Sequence, residues 1–247
     1  MKFAVLSDIH SNVFALEAVL ADAKKHSVDL IINLGDILYG PIAPRATYDL
    51  LMQHDIVTIC GNQDRQIFEA SAAEIASNPT MKFIIENLGE EPIKWMKSLP
   101  FDKQLNDDVY LCHGTPSDDL IYLLENVELG YARLRADSEI IKRLNGQQSK
   151  LICCGHTHTP RTVCLSSGQV IVNPGSVGLQ AYTDDEPNVH SMENFNAMAS
   201  YAVVEQTVNS WKIEHINVPY DIELAVIECK KRGRIDWVHF LTTGRKV

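Results

Sequence analysis

The sequence predicts an α/β protein built on a parallel βαβαβ unit. Three short apolar runs, 3–6, 29–34 and 56–60, indicate buried strands. Segments with helical character separate them, so parallel strands with right-handed connections are expected. A polar group that could bind a metal follows each run almost at once. Because ligands bind at the carboxyl ends of strands in open α/β sheets, we expect a functional site at that edge.

The first strand, 3–6, leads into Asp8-Ile9-His10. Ser11 or Asn12 can cap the helix that follows. The apolar positions of that helix fall at helical spacing: Val13, Leu16, Val19 and Leu20. Asp8 and His10 are therefore predicted on the loop that leaves the strand, where an acid and an imidazole indicate one corner of a metal site.

The second and third strands end in the same way. The run 29–34 ends at Gly35-Asp36, and a turn at 39–41 leads to a helix from about 45 to 54. The run 56–60 ends at Gly61-Asn62-Gln63-Asp64. This repeated placement of polar groups is the strongest signal of organisation in the chain.

The middle of the chain predicts helices and then a hairpin. Residues 65–98 have partly helical spacing, and Pro100 ends them. Two short strands, 101–105 and 109–112, flank a turn-forming Asn-Asp-Asp sequence, and the second ends at His113-Gly114.

Further helices are predicted over 117–146. A strand over 150–154 then runs into Gly155-His156-Thr157-His158. This places two more imidazoles directly after a strand.

The last third predicts mostly β structure. Hairpins are expected at 161–165 with 169–172 and at 201–206 with 211–218, and polar 182–197 is expected to be a long exposed loop. A helix follows over 221–231, with its cationic residues at the C-terminal end. We predict one domain over 1–247, in which 219–247 form a C-terminal helical appendage.

The amino-acid composition restricts the classes of function that the chain can have. The 247 residues are 45% hydrophobic and 22% charged, as in ordinary globular proteins. The formal net charge of −10 disfavours non-specific binding to nucleic acid or anionic membrane. No signal peptide or long apolar run is apparent, and the six cysteines form no CxxC pair. We expect a cytoplasmic protein whose cysteines are buried and reduced.

Seven side chains at strand ends could bind metal: Asp8, His10, Asp36, Asn62, His113, His156 and His158. Mixed nitrogen and oxygen ligands suit Mn, Fe, Ni or Zn better than Mg. Seven ligands are too many for one tetrahedral ion but suit two ions that share a ligand. Asp36, from the central strand of the βαβαβ unit, is the natural bridging carboxylate.

The ordered pattern Asp-x-His, Gly-Asp, Gly-Asn, His-Gly and Gly-His-x-His resembles that of the calcineurin-like metallophosphoesterases. It spans 8–158, and the following Asn173-Pro174-Gly175-Ser176 is similar to a loop of the small prokaryotic members. The resemblance implies a four-layer α/β/β/α sandwich of two mixed β-sheets flanked by helices. It also implies that one metal takes Asp8, His10, Asp36 and His158, and that the other takes Asp36, Asn62, His113 and His156.

Such a site suits phosphoryl chemistry. Two divalent ions and two carboxylates leave a charge of about +2, which attracts a phosphate group even on an acidic protein. Two ions roughly 3.5–4 Å apart can hold a bridging hydroxide for in-line attack on phosphorus.

The residues after Asn62 depart from the family pattern. Many members have Gly-Asn-His-Asp, whereas this chain has Gln63, which can donate a hydrogen bond but not a proton. We therefore expect a preference for good leaving groups. Asp64 caps the following helix or orients Gln63. Arg65 contacts substrate phosphate or is a solvated residue at the start of the helix.

The sequence thus predicts a binuclear phosphoesterase acting on phosphodiester or phosphoanhydride bonds of small or nucleotide substrates. Catalysis is assigned to Asn62, Gln63, Asp64 and His113, and substrate binding to Asn62, Gln63 and Arg65. Hydrolysis of dinucleoside polyphosphates or phosphomonoesters is the alternative activity. A catalytically silent scaffold of the same fold is the non-enzyme alternative. A nuclease would need a basic or aromatic groove, and none is apparent.

Overall fold

The computed structural model describes residues 1–247 and contains fourteen strands and nine α-helices. The strands are β1 Lys2–Leu6, β2 Leu30–Asn33, β3 Ile56–Thr58, β4 Asp102–Asn106, β5 Val109–Cys112, β6 Glu125–Asn126, β7 Arg133–Leu134, β8 Leu151–Cys153, β9 Arg161–Cys164, β10 Val170–Asn173, β11 Ala181–Asp184, β12 His190–Glu193, β13 Ala199–Gln206 and β14 Trp211–Val218. The helices are α1 Val13–Ala23, α2 Pro44–Leu51, α3 Asn62–Glu69, α4 Ala72–Ser77, α5 Pro79–Leu88, α6 Glu90–Ser98, α7 Asp137–Arg143, α8 Ile222–Lys231 and α9 Ile235–Thr243.

Two five-stranded mixed sheets form the centre of the molecule. The first has the order β14-β13-β1-β2-β3, and the second has the order β4-β5-β8-β10-β9. The strands β1, β2 and β3 are parallel, as predicted. Helices flank the sheets, so the predicted α/β sandwich of two mixed sheets is confirmed.

The alternating orientation of side chains along β1 explains why this strand packs against the second sheet on one face and against helices on the other. Phe3 and Val5 point to the second sheet and share a core with Leu111 and Cys153. Ala4 and Leu6 point to the opposite face, where helices including α1 cover the sheet. Successive side chains of a strand face opposite ways, so a strand buried on both faces is apolar throughout.

The predicted helices over 117–146 are mostly wrong. Only α7 is helical there, and the preceding segment holds the short strands β6 and β7. Tyr122, Leu123, Leu124 and Glu125 are buried one after another. Consecutive burial suits an extended segment between packed elements, whereas a surface helix buries one stripe.

The predicted long loop over 182–197 is also wrong. Strands β11 and β12 pair there, with Ala181 opposite Glu193 and Asp184 opposite His190. The continuous exposed stretch is limited to 183–189, which comprises the end of β11 and the connection to β12. Because residues 182–197 are mostly polar, their sequence did not indicate the two four-residue strands.

Two helices follow the last hairpin. The predicted helix over 221–231 is confirmed as α8, and α9 comes directly after it. Helix α8 packs on α1, and α9 packs on β11. Trp237 and Phe240 of α9 share a small core with Ile42 and Leu179. No helix has the length and apolar character needed to cross a membrane.

Candidate metal centre

Segments that follow the carboxyl ends of strands from both sheets supply the seven predicted ligands, and one of them, Asn62, is the first residue of α3. The loop after β1 carries two of them, and the loop after β8 carries another two. Single ligands follow β2, β3 and β5. All seven are at most 8% exposed: Asp8, His10, Asp36, Asn62, His113, His156 and His158. The structure brings them together as two adjacent groups.

The backbone of these loops is unusual. Five of the seven residues have a left-handed φ, which costs roughly 1–2 kcal/mol for a non-glycine residue. These are Asp8 (55°), His10 (50°), Asp36 (55°), His156 (68°) and His158 (57°). Backbone hydrogen bonds offset the cost, including Asp8 N–H to the Gly35 carbonyl and His10 N–H to the Asp36 carbonyl, both at 3.0 Å.

The first group consists of Asp8, His10 and His158. The Nδ1 of His10 lies 3.2 Å from the Tyr39 carbonyl, and the Nδ1 of His158 lies 2.7 Å from the Leu179 carbonyl. Because a carbonyl only accepts, each Nδ1 carries the proton. The two Nε2 atoms then face each other at 3.0 Å. Two neutral imidazoles would oppose their lone pairs there, so a cation fits between them.

The carboxylate of Asp8 completes this group. Its Oδ2 accepts from the backbone N–H of His156 at 3.2 Å. Its Oδ1 is buried, has no hydrogen-bond partner and lies 3.4 Å from the His158 Nε2. A buried carboxylate oxygen without a partner is costly, and coordination of a metal ion would satisfy it.

The second group consists of Asp36, His113 and His156. The Nδ1 of His113 donates to the Leu34 carbonyl at 2.8 Å, and the Nε2 of His156 donates to the Leu120 carbonyl at 3.2 Å. Metal-ligating histidines usually donate their second ring nitrogen in this way.

Two oxygens lie near the Nε2 of His113. The Oδ1 of Asn62 is 3.0 Å away, and the Oδ2 of Asp36 is 3.5 Å away. The other Asp36 oxygen, Oδ1, accepts from the backbone N–H of Gln63 at 2.8 Å. This donor set of one carboxylate, one amide oxygen and two imidazoles fits a divalent ion.

The carboxylates of Asp36 and Asp8 favour positive charge near His113. Burial disfavours protonation of His113, but the carboxylates of Asp36 and Asp8 outweigh it and raise the pKa to about 10. Burial lowers the pKa of His10 and of His156 to about 4, with a neighbouring histidine adding to each shift. Burial opposes ionisation of Asp36, but His113 outweighs it and holds the pKa of that carboxyl well below its usual value.

Asp64 does not face the cavity. Its carboxylate accepts from the backbone N–H groups of Asp36 at 2.9 Å, Ile37 at 2.8 Å and Gly61 at 3.0 Å. It therefore caps α3 and also holds the loop that carries Asp36. Of the two predicted alternatives, this geometry is the helix cap.

Arg65 is neither free nor directed at the metal groups. Its guanidinium binds Asp119 through Nε at 2.8 Å and Nη2 at 2.7 Å, and Glu69 lies at 3.3 Å. It borders a neighbouring groove together with Tyr39. Unlike the candidate ligands His10 and His158, Arg65 does not line the cavity beside the metal groups.

A cavity of about 210 Å³ opens beside both groups. Gln63 lines it, as do several residues that sequence reasoning missed: Leu179, Tyr182, Thr183, Asp184, Arg234, Asp236 and Phe240. Trp237 also lines it. These residues lie in or next to β11 and α9, beyond the recognisable motifs, and no local pattern marks them.

A family model described as the calcineurin-like phosphoesterase superfamily domain matches residues 1–194. The chain belongs to this superfamily. The predicted resemblance is thereby confirmed, and the matched segment contains all seven candidate ligands. A metal-dependent phosphoric ester hydrolase is the activity class that the superfamily supports.

Relatives extend the likeness over the whole chain. An uncharacterized protein of Methanocaldococcus jannaschii is 27% identical over 248 aligned residues, which cover 95% of this chain and 94% of the relative. A metallophosphoesterase from Sphaerobacter thermophilus superimposes with a TM-score of 0.75 at 24% identity, covering 99% of this chain and 100% of that one. A hypothetical protein from Pyrococcus horikoshii has a TM-score of 0.76 at 19% identity, with 100% and 99% coverage. These two structural likenesses establish the shared fold, α8 and α9 included.

Proposed function

We propose that the chain is a binuclear metal-dependent phosphoesterase acting on phosphodiester or phosphoanhydride bonds of small or nucleotide substrates. The observation that carries this proposal is the pairing of unprotonated imidazole nitrogens. His10 and His158 direct theirs at each other across 3.0 Å, beside the unpartnered Asp8 Oδ1. This arrangement suits a cation, and a second group of ligands lies next to it.

The residues divide between two ions as the resemblance implies. Asp8, His10 and His158 would hold one ion, Asn62, His113 and His156 would hold the other, and Asp36 would serve both. Bound there, two divalent ions supply an acidified water and neutralise charge on the phosphoryl oxygens.

The chain itself prepares the site before any ion or substrate arrives. Backbone carbonyls fix the four imidazole rings, and Asp64 fixes the loop that carries Asp36. Pre-set ligands lose little conformational freedom on binding, and burial strengthens their interaction with charge. The small cavity, below the roughly 300–1,000 Å³ of drug-sized ligand sites, favours a small substrate.

Gln63 favours substrates with good leaving groups. Its side chain borders the cavity, and its Oε1 has no hydrogen-bond partner. An amide can donate a hydrogen bond to a leaving oxygen but cannot protonate it. Aryl esters and phosphoanhydrides need less protonation than alkyl esters do. This is why hydrolysis of dinucleoside polyphosphates is the second candidate activity.

Metal reconstitution tests the proposal. Metal-free protein is loaded with Mn²⁺, Fe²⁺, Ni²⁺ or Zn²⁺, bound metal is counted by mass spectrometry, and hydrolysis of bis(4-nitrophenyl) phosphate is followed. We expect about two ions per chain and metal-dependent activity. Asp8→Asn serves as the matched variant and should lose metal from the first group. Fewer than one retained ion without activity would support a silent scaffold instead.

The substrate class needs a separate screen. Nucleotides, cyclic nucleotides and dinucleoside polyphosphates are offered to the protein loaded with Mn²⁺. Turnover of the dinucleoside polyphosphates well above that of the phosphodiesters would favour the second candidate activity.

A further inference from the structure

Helix α9 supplies one wall of the metal cavity. Arg234, at the N-terminal boundary of α9, and Asp236, Trp237 and Phe240 within it line the same cavity as His10. These residues follow the family-matched segment 1–194. The wall therefore lies outside the segment that defines the superfamily and can contribute a property of its own, such as substrate preference.

Arg234 is the single lysine or arginine that lines this cavity. The other permanently charged side chains there are acidic, Asp184 and Asp236. The cavity thus has two places that attract an anion: the metal groups and this guanidinium.

The guanidinium is held in a fixed orientation. Its Nε lies 3.0 Å from Asp236 Oδ1, its Nη2 lies 2.6 Å from Asp236 Oδ2, and its Nη1 donates to Thr80 Oγ1 at 2.9 Å. Its Cζ also lies 5.3 Å from the centre of the Trp237 ring. A side chain already fixed in this way loses little rotamer freedom when it binds a ligand.

Arg234 still has donors to offer. A guanidinium carries five N–H groups, and these contacts use one on each of its three nitrogens. One N–H on Nη1 and one on Nη2 remain. Asp236 balances the charge, so a ligand must be a strong anionic acceptor to gain from this site, and phosphate oxygens are such acceptors.

We propose that Arg234 binds a second phosphoryl group of the substrate, distinct from the one that is cleaved. The preferred substrate is then a small ester or anhydride with a further phosphate on its leaving portion. This proposal rests on the phosphoesterase function and specifies its substrate class. A substrate without a second anion would use the metal groups alone.

A purely structural role would look different. The Thr80 contact joins the start of α9 to α5, so Arg234 could simply fasten the helix. Its replacement would then weaken folding and the binding of every ligand alike. Substrate selection instead predicts that only ligands with two phosphoryl groups are affected.

Calorimetric titration of the Mn²⁺-loaded protein separates these roles. The probes are alkane diphosphonates with two to five carbons between the phosphonates, each paired with an alkyl monophosphonate of the same length. The variants are Arg234→Gln, which removes the charge, and Arg234→Lys, which keeps it. The control is Arg45→Gln, because Arg45 is also held by acidic partners but lies outside the cavity.

We expect the natural protein to bind at least one diphosphonate about tenfold more tightly than its monophosphonate, as charge-assisted hydrogen bonds allow. Arg234→Gln should lose this advantage while its monophosphonate affinity stays within about twofold. Arg234→Lys should keep part of it, and Arg45→Gln should keep all of it.

The proposal is overturned if no diphosphonate is preferred or if Arg234→Gln keeps the preference. An equal loss for both ligand types in Arg234→Gln also overturns it, in favour of the structural role. If no phosphonate binds the loaded protein, the phosphoesterase function itself fails and this proposal fails with it.

Discussion

The indole of Trp237 packs edge-on against the imidazole of His10, with ring centres 5.9 Å apart and planes at 82°. The same indole also packs closely against the turn that contains Gly40. A Cβ atom on Gly40 would lie only 2.9 Å from the indole ring. The carbonyl of the preceding Tyr39 accepts the His10 Nδ1 proton. One side chain therefore supports both the ring of a candidate ligand and the turn that orients it.

Replacing Trp237 should weaken metal binding. Trp237→Leu removes the support of His10, and loss of such indirect support typically lowers metal affinity 10–100-fold. Trp237→Phe should retain most of the affinity. Competition with a chromogenic chelator measures it. Trp95→Leu is the control, because Trp95 packs on Tyr48 away from the ligands. Equal metal affinity in all three variants would contradict the supporting role.

Introducing a histidine at position 63 should broaden the leaving groups that are accepted. Gln63→His adds a group that can donate a proton beside the candidate metal groups, and general acid catalysis contributes roughly 10²–10⁴-fold where it is needed. We expect alkyl phosphodiester turnover to rise far more than aryl phosphodiester turnover. Rates of both substrate types are compared at saturating Mn²⁺. Equal ease of the two hydrolyses in the natural protein would refute the idea.

Replacing the carboxyl group of Asp64 by an amide should destabilise the protein. Its two carboxyl oxygens accept from four backbone N–H groups, those of Asp36, Ile37, Leu38 and Gly61, and an amide nitrogen cannot replace one of these oxygens. Asp64→Asn should lower the free energy of unfolding by about 2–3 kcal/mol. Urea denaturation measures the loss.

A matched control comes from the exposed cap of α4, where Glu74 accepts from the Ser71 N–H. Glu74→Gln should cost much less than Asp64→Asn, because water can replace the lost contact at this exposed helix end. Asp64→Asn should also weaken metal binding, since Asp64 holds the backbone of Asp36. A variant with normal stability and normal metal content would show that Asp64 has neither role.

Stability should depend on pH through Asp22. Burial opposes its ionisation, but hydrogen bonds from Lys25 and Tyr201 outweigh burial and lower its pKa. The folded-state pKa then lies below the unfolded value of about 3.9. The ionised group therefore stabilises the fold above roughly pH 4, and its contribution is lost as the pH falls through the folded-state pKa.

Asp22→Asn should accordingly reduce stability at pH 7 and converge with the natural protein in acid. Urea titrations at several pH values measure the difference. The Tyr201 hydroxyl lies 2.9 Å from Asp22 and joins β13 to α1, so Tyr201→Phe should show part of the same pH dependence. If the difference in stability between Asp22→Asn and the natural protein persisted at the lowest pH, the stabilisation would not come from ionised Asp22.

The strand-end ligands could be predicted because their signal is local. An apolar run fixes the strand, and the residues after it are bound to emerge at the sheet edge, as Asp36 and His113 do. The backbone carbonyls that accept hydrogen bonds from the imidazole rings could not be predicted in this way. The Leu120 carbonyl serves His156 from a segment expected to be helical, and its position depends on packing between distant elements.

The cavity wall was hidden for the same reason. Arg234 and Trp237 carry no spacing that relates them to His10, more than two hundred residues earlier. Only the docking of α9 on β11 brings them to the metal groups. Sequence patterns thus identify the part of the site that does chemistry, whereas tertiary packing determines what surrounds it.

The distance along the chain between Asp8 and His158 also orders events during synthesis. The first of these residues leaves the ribosome long before the second, at roughly 5–20 residues per second. Even the sheet that carries Asp8 is incomplete until β13 pairs with β1. A nascent chain therefore has no place to retain an ion, and we expect metal to enter only a protein that has finished folding.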